Sequence, residues 1–280
     1  MRNLLKVDFT RVLKDKLFMI TCIIAGAFAL FVPLLNLAIF YGLSGGDMGE
    51  VNEMLDLMGM AINAKSFFFS SLSLANNLGL FLPILVGIMI FKDHSRGTVR
   101  NKIVGGYKRS SIFISNLIVC FVVMFGIILA HALVTLFFSL IFFPFQSTPF
   151  TGADFGNFML GILFEVLIYA FVAVFVVYLC ATKKSMGGVI VLYLAISMGL
   201  SLVGSIMSVG EAFLQIYEGT ETAVKLLHVF QRINIFGYSS MIVGEGYTVT
   251  EILCYTLSPI LLGTGLCLLG ILRFKRKDLK

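Results

Sequence analysis

The chain alternates long runs of apolar residues with short polar segments. A helix needs roughly 20 apolar residues to cross the hydrocarbon layer of a membrane, and six runs reach that length. They predict membrane-spanning helices at about 17–41, 67–91, 112–143, 156–181, 186–208 and 250–272. The pattern therefore predicts an all-α polytopic membrane protein in which residues 1–280 form a single transmembrane domain.

Residues 1–16, which precede the first span, have the pattern of an amphipathic helix. Leu5, Phe9, Val12 and Leu13 recur with helical spacing, and most of the basic residues fall elsewhere around the helix. We expect this helix to lie at the membrane surface. The apolar run that follows is longer than that of a signal peptide and lacks a convincing cleavage site, so we expect it to remain as an anchor.

Composition supports lipid as the solvent of this chain. Apolar residues make up 59% of the sequence, charged residues only 13%, and the mean hydropathy is +0.99. A soluble domain of this composition would expose a large apolar surface. The five cysteines lie within apolar runs without metal-ligand spacing, so we interpret them as small buried hydrophobic residues and expect no metal site.

The distribution of basic residues predicts the orientation of the spans. Eighteen of the 21 Lys and Arg residues lie in four segments: the N-terminus, residues 92–109, residues 183–184 and the C-terminal tail. Cytoplasmic loops retain Lys and Arg, so both termini and residues 92–111 are expected in the cytoplasm and residues 209–249 outside. The net charge of +6 then suits anionic lipid headgroups rather than nucleic acid.

The cytoplasmic segment 92–111 predicts a short helix between two spans. Asp93 is expected to cap this helix, Val99, Ile103 and Val104 to form its apolar side, and Gly105-Gly106 to end it. A short, rigid helix connected directly to two spans can transmit force between them and a partner. An alternative is that the basic segment only sets the topology and binds lipid headgroups.

This segment resembles the first cytoplasmic loop of the membrane subunits of ABC-2 type transporters. An acidic residue, a Gly-Thr pair and a basic residue before the next span characterise that loop, and Asp93, Gly97-Thr98 and Arg109 occupy the corresponding places. Asn116 departs from the pattern, since Lys is common there in relatives. The order of an interfacial helix, six spans and a long outer segment before the last span is also similar.

The resemblance implies a bacterial plasma-membrane exporter in which this chain pairs with a second membrane subunit, the same or similar. Two ATPase subunits would drive it, with the loop helix seated in a cleft of the ATPase. The residues that the resemblance assigns to this coupling are Asp93, Arg96, Gly97, Thr98, Arg100, Lys108 and Arg109. The chain has no G-x-x-x-x-G-K-[ST] sequence, so we expect no cofactor in it and ATP and Mg in the partner ATPase.

The cargo is less well defined by the sequence. The Phe-rich spans favour hydrophobic or amphipathic cargo, such as a peptide antibiotic or a drug. Relatives also export polysaccharides, so a polysaccharide or lipid-linked glycan is the alternative within the family.

Two polar features fall inside the predicted spans. Glu165 and His131 lie in spans four and three, and we expect a hydrogen bond between them to join the helices. A proton or substrate-cation site at Glu165 is the alternative, because intramembrane carboxylates are often functional. A stripe of small residues in span five predicts close helix packing, with the lining of a translocation path as the alternative. The stripe consists of Ser197, Ser201, Gly204, Ser205 and Ser208.

Single features of the sequence also occur in two other classes of protein, secondary transporters and serine hydrolases. An ion-coupled secondary transporter would use Glu165 and need no ATPase. The sequence from Gly42 to Gly46 matches G-x-S-x-G, but a hydrolase needs a strand-to-helix turn at that Ser, and a rhomboid-type protease needs a His in a late span. His131 lies in span three, so no catalytic residue is expected, and the Gly-rich segment is interpreted as a turn.

Overall fold

The computed structural model describes residues 2–44, 63–74, 77–95, 97–143, 145, 151–214, 217, 219, 221–242 and 246–276. This part of the chain contains eleven α-helices and no strand. The helices are α1 (Arg2–Leu13), α2 (Lys16–Ser44), α3 (Ala64–Leu72), α4 (Asn77–Ser95), α5 (Thr98–Val104), α6 (Arg109–Phe142), α7 (Gly152–Thr182), α8 (Met186–Leu214), α9 (Glu221–Ile233), α10 (Ile235–Tyr238) and α11 (Val249–Arg276).

Length and composition confirm an all-α polytopic membrane protein. Helices α2, α6, α7, α8 and α11 are long and apolar enough to cross a membrane. Helices α4 and α5 meet the same criterion when taken together as one span bent by 51°. All five cysteines are free, as expected, although Cys22 is exposed on α2 rather than buried.

The second predicted span is wrong as a continuous helix. Helix α3 ends at Leu72, Ser73 has an extended backbone with φ −60° and ψ 138°, and α4 begins at Asn77. The N–H of Ser73 still bonds the carbonyl oxygen of Phe69 at 3.0 Å, which closes the last turn of α3. Apolar residues continue on both sides of the break, and for this reason hydropathy does not reveal it.

Helix α7 is the centre of the bundle. It packs most extensively against α11 and also contacts α4, α6 and α8. The rings of Phe171 and Phe175 on α7 lie 6.2 Å and 6.3 Å from the ring of Phe236, which also contacts Tyr193 of α8. Since Phe236 belongs to α10, the outer segment reaches deep between α7 and α8.

Part of the segment 209–249 therefore packs inside the bundle. Helix α9 is amphipathic, with Leu226 and Phe230 exposed and Gln231 buried. Helix α10 is buried at Phe236 and Tyr238 and leads into a 3-10 turn at Ser239–Met241. The sequence favours Thr220 as the N-cap of α9, but Thr220 lies outside the described residues.

Candidate functional site

Four charged side chains from three helices meet on the basic side of the bundle. Asp8 and Arg11 come from α1, Asp93 from the last turn of α4 and Lys102 from α5. The Nζ atom of Lys102 lies 2.7 Å from Oδ1 of Asp8 and 3.1 Å from Oδ2 of Asp93. Arg11 donates a hydrogen bond to Asp93, and its Nη1 atom lies 3.8 Å from Oδ1 of Asp8. Two cations thus balance two carboxylates in what we call the charged junction.

The charged junction is almost closed to solvent. Asp8, Asp93 and Lys102 are 0%, 1% and 8% exposed. The hydroxyl group of Ser115 on α6 donates a 2.7 Å hydrogen bond to Oδ2 of Asp8, so a fourth helix takes part. Removing one partner of a buried ion pair leaves the other charge uncompensated, which typically costs about 3–5 kcal/mol. The junction therefore fixes α5 against α1, α4 and α6.

Burial acts on the two cations of the junction as well. It lowers the pKa of Lys102 below the usual value because the ammonium group loses its water. The hydrogen bond and the charge of Asp8 raise that pKa, and the nearby charge of Arg11 lowers it. Burial likewise lowers the pKa of Arg11, against the opposing effect of Asp8. Asp8 is therefore the group that favours the charged form of Lys102 against the effect of burial.

A second ion pair ties α4 to the turn between α1 and α2. The Nζ atom of Lys92 lies 2.9 Å and 2.7 Å from the two carboxylate oxygens of Asp15. The N–H group of Leu17, in the first turn of α2, donates to Oδ1 of Asp15 at 2.9 Å. The side chains of Lys92 and Asp15 are 31% and 21% exposed, so this pair is expected to contribute less than the junction.

The expected helix cap at Asp93 is wrong. Helix α4 continues to Ser95, so Asp93 lies inside it and its carboxylate belongs to the charged junction. The N-cap of α5 is Gly97, which has a φ of 70° and makes no side-chain cap hydrogen bond. The predicted end of the helix is confirmed, since Gly105 is the C-cap and Gly106 follows with a φ of 85°.

Helix α5 is buried on one side and exposed on the other. Val99 and Lys102 are buried, as the charged junction requires. Arg100 and Asn101 are exposed, and Val104 is 81% exposed, contrary to the expectation that it lies on the packed apolar side. We call Arg100, Asn101 and Val104 the exposed face of α5.

The other predicted coupling residues in the described part of the chain lie at the ends of α5 and α6. Thr98 opens α5 and is half-buried. Lys108 is exposed and is the N-cap of α6. Arg109 begins α6 and donates a 2.8 Å hydrogen bond to the carbonyl oxygen of Lys275, which ties α6 to the end of α11. Arg96 lies outside the described residues.

The sequence analysis did not identify Asp8, Arg11 and Lys102 as members of the charged junction. The sequence does contain a signal for Asp8 and Lys102. Asp8 stands four residues after Leu4 and four before Val12, so it shares the buried side of α1. Lys102 follows Val99 by three residues and shares the buried side of α5. A charged residue in a buried register indicates a buried partner, but the sequence does not say which partner.

The expected hydrogen bond between Glu165 and His131 is wrong. The Nδ1 atom of His131 donates to the carbonyl oxygen of Ala25 at 2.9 Å, and this bond joins α6 to α2 instead. Glu165 is 0% exposed, and neither of its carboxylate oxygens has a hydrogen-bond partner among the described residues. The Nδ1 atom of His131 is therefore bonded to α2, and it forms no hydrogen bond with Glu165.

The small-residue stripe of α8 packs closely, as predicted, but its partner is the dipping outer segment. The hydroxyl group of Ser201 donates to the carbonyl oxygen of Phe236 at 3.2 Å. A Cβ atom on Gly204 would lie 2.7 Å from the Cα atom of Gly237. The two backbones therefore approach so closely that neither position has room for a side chain.

The other members of the stripe have different roles. Ser208 accepts a hydrogen bond from the side chain of Gln231 on α9, which extends the same contact outward. Ser197 is buried and bonds the carbonyl oxygen of Leu194 within its own helix. Ser205 bonds the carbonyl oxygen of Ser201 and is exposed. These contacts leave the path-lining interpretation of the stripe without support at Ser201, Gly204 and Ser208.

A substitution at Gly204 tests this packing. Gly204→Ala is expected to lower the free energy of unfolding by about 1–3 kcal/mol, because the new methyl group must push α10 away from α8. Gly199→Ala on the same helix is the matched control, since a Cβ atom there meets nothing within 4 Å. Thermal unfolding of the purified protein in one detergent compares the two, and equal midpoints would contradict the close approach.

Comparison with known proteins gives one match. In the described part of the chain, no group of three His, Cys, Asp or Glu side chains could hold a metal ion. No curated protein and no solved structure matches the chain. The model of the family described as "Protein of unknown function (DUF2705)" matches residues 58–280, well over half of the chain, and the chain therefore belongs to that family.

Proposed function

We propose that this chain is the membrane-spanning subunit of an ATP-driven exporter in the bacterial plasma membrane. In this proposal it works as a dimer with an identical or similar membrane subunit. ATP and Mg bind to a separate ATPase subunit, since the chain has no phosphate-binding G-x-x-x-x-G-K-[ST] sequence. The observation that carries the proposal is the exposed face of α5, held rigidly by the charged junction.

The charged junction gives α5 the mechanical connections that a coupling element needs. A force applied to the exposed face of α5 would pass through Lys102 to Asp8 on α1 and to Asp93 on α4. Ser115 extends the connection to α6. A loop that only sets topology has no need of a buried network of charges. The arrangement therefore favours a mechanical role for this segment over a simple topology signal.

Hydrophobic or amphipathic cargo is the class that we propose. An apolar groove of about 290 Å³ lies between α6, α7 and α11, and Leu117, Phe171, Pro259 and Thr264 are among its lining residues. Its size is close to the lower limit of small-molecule sites. A polysaccharide or lipid-linked glycan remains the alternative cargo, although an apolar lining suits a sugar poorly.

A second candidate function is ion-coupled secondary transport. The observation that favours it is Glu165, a fully buried carboxyl group without a hydrogen-bond partner in the described residues. Transport into inside-out vesicles distinguishes the two candidates. ATP-driven export requires ATP and persists when the ion gradients are collapsed, whereas secondary transport needs only the gradient.

The exposed face of α5 provides a test of the ATPase contact. The double variant Arg100→Glu/Val104→Asp is expected to fold normally, because both side chains are exposed, but to lose the ATPase. Placing two carboxylates in the contact should weaken it by at least about 1.4 kcal/mol, which is a tenfold loss of affinity. The measurement is the ATPase activity that copurifies with the tagged chain from its own membranes, together with crosslinking to a P-loop ATPase from position 101, which is exposed on the same face and unchanged in the double variant.

A charge reversal elsewhere on the cytoplasmic side is the control. Lys14 is exposed at the end of α1, outside the exposed face of α5, so Lys14→Glu should leave copurified ATP hydrolysis unchanged. Undiminished hydrolysis and crosslinking in the double variant would refute the assignment of this face. Absence of a P-loop ATPase from the wild-type preparation would refute the exporter proposal itself.

A further inference from the structure

Two interruptions of helical structure meet inside the bundle. One is the break after α3, at Ser73 and Leu74, and the other is the 3-10 turn that starts at Ser239. The N–H group of Leu74 donates to the hydroxyl oxygen of Ser239 at 2.7 Å. The hydroxyl groups of Ser73 and Ser239 are 3.1 Å apart and share a hydrogen bond. A single side chain, Ser239, therefore joins the two breaks.

One side of α7 lies against the C-terminal half of α3. A Cβ atom on Gly161 would lie 2.6 Å from the ring of Phe69. Two turns further along α7, the hydroxyl group of Tyr169 donates a 2.9 Å hydrogen bond to the carbonyl oxygen of Leu72, the last residue of α3. Glu165 stands midway between Gly161 and Tyr169 at helical spacing, so it belongs to the same side of α7.

Glu165 therefore sits near the C-terminal end of a short helix. Its carboxyl group lies close enough to Tyr169 and to Tyr238, the residue before Ser239, for a charge on it to act on both hydroxyl groups. The C-terminal end of a helix carries partial negative charge, which opposes a carboxylate beside it. A discontinuous helix ending inside a membrane protein is also a recurrent place for coupling protons and cations.

The groups around Glu165 do not supply a counter-charge. No ion pair joins Glu165 to a Lys, Arg or His side chain in the described residues. The ionisable side chains on the elements packed around this part of α7 include Tyr169 on α7 itself, Tyr193 on α8, Arg232 on α9, Tyr238 on α10, Tyr247 just before α11, Glu251 and Tyr255 on α11, His131 on α6, Lys65 on α3, and Lys92 and Asp93 on α4.

The cationic candidates among these groups form no ion pair with Glu165 in the described residues, and Arg232 pairs with Glu251 instead. His131 bonds the carbonyl oxygen of Ala25, and Lys92 pairs with Asp15 at the cytoplasmic end of α4. Lys65 lies in the first turn of α3, two turns from the end that meets Tyr169. A buried carboxyl group without a counter-charge is far cheaper to hold as the neutral acid than as the anion.

We propose that Glu165 is a reversible proton-binding site whose occupancy is linked to the closure of the two helix breaks. In the arrangement described, the carboxyl group carries the proton and is neutral. When the breaks separate and water enters, the O–H bond of the carboxyl group breaks and the proton passes to water, leaving the carboxylate. Closure of the breaks requires the reverse step.

The surroundings suit a proton better than a metal cation. Hard cations take several oxygen ligands, typically about six. The carbonyl oxygen of Leu72 accepts a hydrogen bond from Tyr169 and the hydroxyl oxygen of Ser239 accepts one from Leu74, so each has one lone pair already used. A proton needs only one carboxylate oxygen and no additional ligand. The site does not depend on whether ATP or an ion gradient drives the protein.

Infrared spectroscopy of the full chain in lipid nanodiscs tests the proposal without cargo or ATPase. At neutral pH the wild-type protein is expected to show the C=O stretch of a protonated carboxylic acid, shifted by D2O and by 13C labelling of the glutamate side chains. Glu165→Gln should remove the band, and raising the pH should remove it reversibly from the wild type.

Glu251→Gln is the matched control. Glu251 accepts hydrogen bonds from Thr248 and pairs with Arg232 at 2.8 Å, so it is expected to be ionised and its substitution should leave the band unchanged. The 13C shift in wild-type protein keeps the test valid even if Glu165→Gln folds poorly. A wild-type spectrum without a 13C-sensitive acid band would overturn the proposal. Loss of the band on replacing choline by sodium at constant pH would also overturn it, in favour of a metal cation.

Discussion

Asp93→Asn is expected to lower the free energy of unfolding by about 3 kcal/mol, because it removes one of the two carboxylates that balance the charged junction. Arg11 and Lys102 would then face each other with only Asp8 between them. The amide of Asn can accept a hydrogen bond but carries no charge. Reversible unfolding of the purified protein, followed by circular dichroism in mixed detergent, measures the loss.

A double-mutant cycle separates the ion pair from other effects of the substitution. Lys102→Gln alone should cost a similar amount, because it leaves two carboxylates with Arg11. The combination of Asp93→Asn with Lys102→Gln leaves Asp8 and Arg11 as a balanced pair, so the combined loss should be clearly smaller than the sum. Strict additivity of the two losses would show that the two side chains do not interact.

Lys92→Gln is the control for the junction. It removes the ion pair between Lys92 and Asp15, which lies on the same side of the bundle as the charged junction. Both side chains of this pair are partly exposed, and exposed ion pairs contribute about 0–1 kcal/mol. We expect the unfolding midpoint of Lys92→Gln to stay near that of the wild type. A loss as large as that of Asp93→Asn would mean that burial of the junction is not what makes it strong.

Gly79→Ala is expected to destabilise the protein by roughly 3 kcal/mol or more, the upper range for overpacking a closed site. A Cβ atom on Gly79 would lie 2.8 Å from the Cα atom of Leu74 and closer still to the carbonyl oxygen of Ser73. These are backbone atoms of the break after α3, so they cannot move aside as a flexible side chain would. The yield of monodisperse protein and the thermal midpoint measure the effect.

Gly126→Ala is the control for the helix break. Gly126 lies within α6, and a Cβ atom there meets nothing within 4 Å. The substitution is expected to be neutral or slightly stabilising, since Ala is a better helix former than Gly. If Gly79→Ala were tolerated as well as Gly126→Ala, that result would contradict the close contact between Gly79 and the backbone of Ser73 and Leu74.

The membrane-spanning helices were predictable because hydropathy measures how apolar a segment is, and apolar length decides whether a segment can cross the membrane. A long apolar run must hydrogen-bond its own backbone in lipid, and a helix does so within one segment. The predicted spans of α2, α6, α7, α8 and α11 therefore agree with the observed helices to within a few residues. Gly105-Gly106 likewise marked the end of α5 correctly, because a residue with positive φ there needs glycine.

The break between α3 and α4 was not predictable in the same way. Hydropathy averages over residues that stay apolar on both sides of Ser73, while the break is held by the hydroxyl group of Ser239, a residue distant in sequence. The dip of α10 into the bundle depends on the close approach of Gly204 and Gly237, which is also a contact between distant segments.

For the polar residues, too, some features follow from the sequence and others only from the tertiary structure. The sequence by itself determined the helical class and the number of apolar runs, because both depend on local composition, and it predicts their orientation from the charge beside each span. Only the tertiary structure decided that Asp93 pairs with Lys102 and Arg11 instead of capping a helix. It also decided that His131 bonds Ala25 and leaves Glu165 alone. A buried charge indicates that a partner is needed, but which partner it meets depends on how the helices are rotated and packed, and that is fixed by contacts between distant parts of the chain.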